Sequence, residues 1–159
     1  MIRILIFIAI SLSIISCGFK PMYKLDGKGI ELDRISINFK GEIEYEIKEE
    51  LKSLISTEQE NTDYEVLIEV KEEMVPIIIN ENGTVSKYQI DIALFFEVTN
   101  RSGELLLNDI AVGFAQYDVL TSEIENKDLK KQMIRSATAD AASLMITKVQ
   151  SKLSLVNDN

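Results

Sequence analysis

Residues 88–98 read Tyr88-Gln89-Ile90-Asp91-Ile92-Ala93-Leu94-Phe95-Phe96-Glu97-Val98. Tyr88, Ile90, Ile92, Leu94, Phe96 and Val98 recur at every second position, which places all six on one face of a strand. A face this apolar must be covered, so the segment predicts the centre of a sheet packed against a second layer. Turn chemistry bounds it on both sides. Asn80-Glu81-Asn82-Gly83 precedes it as a hairpin signal, with Asn82-Gly83 expected to supply the positive-φ positions, and Asn100-Arg101-Ser102-Gly103 follows it. Upstream, Tyr64, Val66, Ile68 and Val70 alternate in a strand that can run on to Ile79. Pro76 has no N–H for the ladder and predicts an edge position or a bulge there. Downstream, residues 105–117 form a further strand in which Ile110, Val112 and Phe114 share a face.

Further out, the period changes. Residues 34–39 alternate, with Ile35, Ile37 and Phe39 on one side, and read as a first strand. Residues 42–56 carry Ile43, Ile47, Leu51, Leu54 and Ile55 at helical spacing, with Glu42, Glu46, Glu49 and Glu50 expected to face solvent. A long helix is predicted from about residue 121 to 153. Ser122 and Glu125 stand in capping-box spacing, and Leu129, Met133, Ala137, Ala141, Leu144, Met145, Val149 and Leu153 make the apolar stripe. The order is strand, helix, three strands in a meander, helix. It implies an α+β two-layer sandwich, with two helices on one face of a four-stranded mixed or mostly antiparallel sheet. The first strand is separated from the second by a helix, so the two can pair in parallel.

The 159 residues amount to one domain, long enough to bury a core without staples. There is one Cys and no His. A disulfide framework, a multi-Cys metal centre and every His-dependent nucleophile system are therefore ruled out within this chain. With 17 basic and 26 acidic residues the net charge is −9, against the basic footprint that nucleic-acid binding needs. No G-x-S-x-G elbow, S-x-x-K tetrad or Ca²⁺-loop pattern occurs, and Gly27-Lys28-Gly29 lacks the strand–turn–helix setting of a phosphate loop. These absences lead us to expect a non-enzymatic protein without a cofactor or metal.

The N-terminus carries an address. Arg3 is followed by an apolar run over residues 4–15, broken only by Ser11 and Ser13. As a helix this run spans about 18 Å, too short to cross a bilayer but suited to the h-region of a signal peptide. It ends in Ile14-Ile15-Ser16-Cys17, which resembles a bacterial lipobox, and the only Cys of the chain occupies the position the motif requires. An ordinary signal peptide or signal anchor is the alternative. The lipobox reading divides the chain into a signal peptide (residues 1–16), a lipidated tether from Cys17 (residues 17–29) and one α+β domain (residues 30–159). The mature net charge becomes −10, since removal takes Arg3 and no acid. Gly18, where an Asp would signal inner-membrane retention, points to the outer membrane.

Charge is unevenly spread. Residues 42–73 hold 12 acids and 3 bases, and residues 121–153 hold 4 acids and 6 bases, among them Lys127, Lys130, Lys131 and Arg135. The basic strip reads either as a phosphate contact or as an ordinary solvated helix face. The acids Glu69, Glu72 and Glu73 and the Glu42–Glu50 cluster read as a solvated face.

Cys17-Gly18-Phe19-Lys20-Pro21-Met22-Tyr23 resembles the C-G-F-basic-P-Leu/Met-Y opening of the alphaproteobacterial form of the LptE family of lipopolysaccharide-assembly lipoproteins. At the level of pattern the similarity continues through Ser86-Lys87 (Thr-Arg in the family), Tyr117-Asp118-Val119 (Tyr-Asn-Val) and Ala139-Asp140-Ala141. The resemblance implies an outer-membrane lipoprotein that plugs the lumen of the large LptD barrel, supports its assembly and contacts lipopolysaccharide. A mature domain of this length has a diameter of roughly 37 Å, so only a very large barrel can hold it. Lipopolysaccharide is anionic, and its contacts are expected at local bases, with Lys87 and Arg101 at the sheet-end turns as candidates. Lys in place of Arg at position 87 gives a point charge instead of a bidentate fork. The competing reading is a periplasmic lipoprotein auxiliary to an ABC-type lipid transporter, which shares the tether and the domain size.

Overall fold

The structure is a computed structural model that describes residues 35–55 and 62–157. The lipobox, Cys17 and the tether lie outside the described residues. The elements are β1 (Ile35–Lys40), α1 (Tyr45–Leu54), β2 (Tyr64–Ile79), β3 (Val85–Asn100), β4 (Leu105–Asp118) and α2 (Glu123–Asn157). The sheet order is β1-β2-β3-β4, with β1 parallel to β2 and the other pairs antiparallel. This is the expected mixed α+β sandwich.

The alternation of β3 becomes its burial. Ile90, Ile92, Leu94, Phe96 and Val98 are buried and meet Val66 and Ile68 of β2 across the ladder. Above them lie Ile47 and Leu51 of α1 and Ile134, Ala137, Ala141, Met145, Val149 and Leu153 of α2, in one continuous core.

The turns follow from their Asn and Gly residues. In each hairpin the Gly N–H donates to the Asn carbonyl three residues back, at 2.9 Å for Gly83 to Asn80 and for Gly103 to Asn100. Only the glycines take positive φ, 82° at Gly83 and 76° at Gly103. The expectation of a left-handed Asn82 is therefore corrected. These are Asn-x-x-Gly loops that close on one left-handed residue, and Asn82 instead accepts the Thr84 N–H through its side chain. Pro76 sits beside a register shift and beyond the end of β1, so its missing donor costs no ladder bond on that side. Ser122 caps α2 by accepting the Glu125 N–H at 3.4 Å.

Three expectations about faces are overturned. On β4 the buried face is Ala111, Ala115 and Tyr117 with Gly113, while Ile110, Val112 and Phe114 point to solvent. Gly113 explains the choice: a Cβ there would collide with the Ala137 carbonyl oxygen and the Ala141 nitrogen. Helix α2 approaches β4 so closely that only small residues fit beneath it. Leu54 and Leu144 are exposed rather than in the stripe, and Ile134 and Thr138 are buried in their place; the Thr138 hydroxyl donates to the Ile134 carbonyl at 2.7 Å. Glu46 is only 8% exposed and pairs with Lys131 at 3.0 Å, and Glu72 lies on the helix-facing side of β2, 3.6 Å from Lys130. These two acids do not belong to a solvated face. They take up two bases of the α2 strip, so acidic and basic segments meet within the domain.

Candidate functional site

Strand β1 ends where Lys40 pairs with Glu69, while β2 and β3 continue ten residues further, with β4 still paired to β3 as far as Lys87 and Asp118. Side chains at the far end of this extension are more exposed than those beside β1. The inner face of the extension is closed by Tyr88 stacked on Tyr117, with ring centroids 5.8 Å apart, and by the Tyr117 hydroxyl on the Met74 sulfur at 3.6 Å. Past this aromatic lid the chain is apolar and bare. Ile77, Ile78 and Ile79 of β2, Val119 and Leu120 after β4, and Ile124 at the start of α2 are all exposed, Ile124 to 76%. The β2–β3 and β3–β4 registers bring them to one pole of the domain, since Ile78 pairs with Lys87 and Lys87 with Asp118.

The surface is held, not loose. The Val119 N–H donates to the Ser86 carbonyl at 2.9 Å. The Asn126 amide brackets Leu120, accepting its N–H at 2.6 Å and donating to its carbonyl at 2.7 Å. An exposed apolar cluster on a fixed backbone marks a contact surface.

Lys87 lies in this pole, in β3 itself and not in a turn. Its ammonium is 3.1 Å from Asp118, and its side chain is mostly covered. Arg101 lies in the β3–β4 turn at the other pole, fourteen residues along the chain, which is roughly 46 Å of strand. Its Nε donates to the Thr62 carbonyl at 2.9 Å and its guanidinium meets Asp63 at 2.9 Å, over a shallow depression lined by Tyr64, Thr99 and Asn100. Arg101 thus ties the turn to the entry of β2. The structure does not bring the two candidate bases together. The apolar pole escaped the sequence reading because Ile77–Ile79 look like ordinary strand residues until their exposure shows that they lie outside the core.

A second electrostatic cluster lies where α1, β2 and α2 meet. The Glu44 carboxyl hydrogen-bonds Glu72, is partly desolvated and feels the Glu72 charge; together these push its pKa up to about 7. Lys130 opposes the shift from its place beside Glu72. Glu46 is held below the usual carboxylate range, first by its hydrogen bond to Lys131 and then by a backbone N–H. Among the described residues no group of three or more metal-ligating side chains occurs, and no helix is long and apolar enough to cross a membrane.

No family model and no curated protein matches the sequence. Solved structures do. A Caulobacter crescentus protein described as a lipoprotein superposes with a TM-score of 0.63 at 13% identity, over 77% of this chain and 92% of its own. The rare lipoprotein B of Shewanella oneidensis gives 0.59 at 10% identity, over 79% of this chain and 98% of its own. Lipoprotein B of Nitrosomonas europaea gives 0.60 at 15% identity, over 76% and 84%. At these identities the likeness is one of fold: the chain has the fold of these bacterial lipoproteins, across nearly their whole length.

Proposed function

We propose that this protein is an outer-membrane lipoprotein of the LptE type, anchored through Cys17, that partners a large LptD-like β-barrel and acts in lipopolysaccharide transport to the cell surface. It binds and positions and does not catalyse. The observation that carries the reading is the coincidence of two independent features. The sequence has the LptE-like opening at its single Cys, and the domain that follows has the fold of rare lipoprotein B. The apolar pole supports it. Exposed isoleucines beside a lysine suit an amphiphile with acyl chains and phosphates, with Lys87 as the local base in an otherwise acidic domain.

The auxiliary subunit of an ABC-type lipid transporter is the competing assignment, and one purification separates the two. The full-length lipidated protein, tagged at its C-terminus and extracted from envelopes in mild detergent, is expected to bring down a single large β-barrel in stoichiometric amount. Recovery of inner-membrane transporter subunits with no barrel would sink the assignment.

A further inference from the structure

Both helices lie on one face of the sheet, and among the described residues no element covers the other face. Its two halves differ. Over β1 and β2 it is polar, with Lys40 paired to Glu69 at 2.7 Å and Lys71 to Glu73 at 3.5 Å. Over β3 and β4 it carries an apolar cluster: Phe95 pairs with Ile110 across the ladder, Ala93 with Val112, and Phe114, opposite Asp91, is 60% exposed. Polar pairs bound the cluster, Asn108 donating to Glu97 on one side and Gln116 to Gln89 on the other. The cluster runs to the edge of the sheet, because β4 is its last strand.

That edge is guarded at one end only. The Ile110 N–H donates to Asp109 Oδ1 and its carbonyl accepts from Lys148 Nζ, both at 2.7 Å, and Asp109 and Lys148 pair at 2.9 Å. Both backbone groups of Ile110 therefore point away from β3. By the two-residue period so do those of Val112, Phe114 and Gln116. Among the described residues nothing caps these later groups. A long, apolar, uncapped edge is a template for strand addition.

The flank of α2 completes a notch. Lys148 reaches the edge at Ile110. Asp140, two turns earlier on the same flank, approaches within 3.0 Å of where a Gly113 Cβ would stand, and Leu144 between them is exposed. A second copy of this chain does not fit the notch through antiparallel β4–β4 pairing. Contact with Gly113 puts α2 directly over β4, so edge-to-edge β4 strands about 4.8 Å apart would carry two helices at about that spacing. Packed helices need about 8–10 Å. A lone strand brings no helix.

We propose that an extended segment of the barrel partner adds to the β4 edge at Val112–Gln116 as a fifth strand. This inference rests on the barrel assignment above. The segment carries apolar side chains on the open face, where they extend the Phe95–Phe114 cluster, and a Lys or Arg on the helix face, opposite Asp140.

The test uses the full-length lipidated protein and two readouts. Phe114→Pro removes an N–H that points off the sheet, so the ladder to β3 is retained while the edge is blocked. Phe114→Asp is the second variant and leaves the backbone donor in place. With thermal unfolding as a check on folding, either variant is expected to lower recovery of the barrel at least tenfold. A photo-cross-linker at Gln116 in the otherwise unaltered protein is expected to map to one extended segment of the barrel, and one at Lys71 is not. Failure of the unaltered protein to capture a barrel overturns the functional assignment and this inference with it. Full barrel recovery by both variants, or cross-links from Gln116 only to a second copy or to lipid, overturns strand addition and leaves the assignment standing.

Discussion

At Gly113 the backbone of α2 lies directly against β4, and Gly113→Ala tests that packing. The added Cβ would stand 2.5 Å from the Ala141 nitrogen and closer still to the Ala137 carbonyl oxygen. Both are backbone atoms of α2 and cannot rotate away, so the helix must move as a body off Ala111 and Ala115. Overpacking of this kind costs about 1–3 kcal/mol and sometimes more. The better strand propensity of Ala returns only about 0.5–1 kcal/mol. A net loss of about 1 kcal/mol is expected, which for a domain of this size lowers Tm by roughly 3–6 °C. Differential scanning calorimetry or circular-dichroism melting of the soluble domain, beside Gly103→Ala as a left-handed turn control without a steric contact, reads the effect. An unchanged Tm for Gly113→Ala would refute the close approach of α2 to β4.

Three further outcomes are expected. The raised pKa of Glu44 makes stability fall as pH rises from about 4.5 to about 7, because the native state holds the proton more tightly there than the unfolded chain. Glu46 has the opposite sign, contributing above the ordinary carboxylate pKa and losing that contribution in acid; Glu44→Gln should therefore flatten the melting profile between pH 5 and about 7.5 and leave the acid limb intact. For lipopolysaccharide, Lys87→Ala is expected to weaken binding by about tenfold, the scale of one charge-assisted contact, while Arg101→Ala lowers thermal stability and leaves binding in place; equal binding by the doubly substituted protein would remove both bases from the site. Cys17→Ala should release the protein from the membrane fraction into the soluble periplasm, as fractionation and immunoblotting will show.

Much of the fold was legible because its signals are local. Alternation in residues 88–98, the two Asn-x-x-Gly loops, the proline that breaks register and the Ser122 cap each act over a few residues, and each appears where it was expected. What failed depends on contacts distant in sequence. Alternation in β4 separates two faces but does not say which is inside. The larger side chains pointed to Ile110, Val112 and Phe114, whereas the close approach of α2 selects Ala111, Gly113 and Ala115. Glu46 and Glu72 carried the polarity of surface residues, and only their meeting with Lys131 and Lys130, some sixty or more residues away, lets them turn inward. The same holds for the site. Lys87 was found as a base near a strand end, but the isoleucines around it became a surface only once their exposure at the far end of β2, beyond β1, was seen.

The central claim, a part in carrying lipopolysaccharide to the surface, is tested most directly by depleting the protein and measuring lipopolysaccharide on intact cells with an impermeant label. Surface lipopolysaccharide is expected to fall as the protein is lost, with newly made material accumulating in the inner-membrane fraction. Undiminished surface lipopolysaccharide, with a defect confined to phospholipid distribution, would contradict the account and favour the transporter subunit.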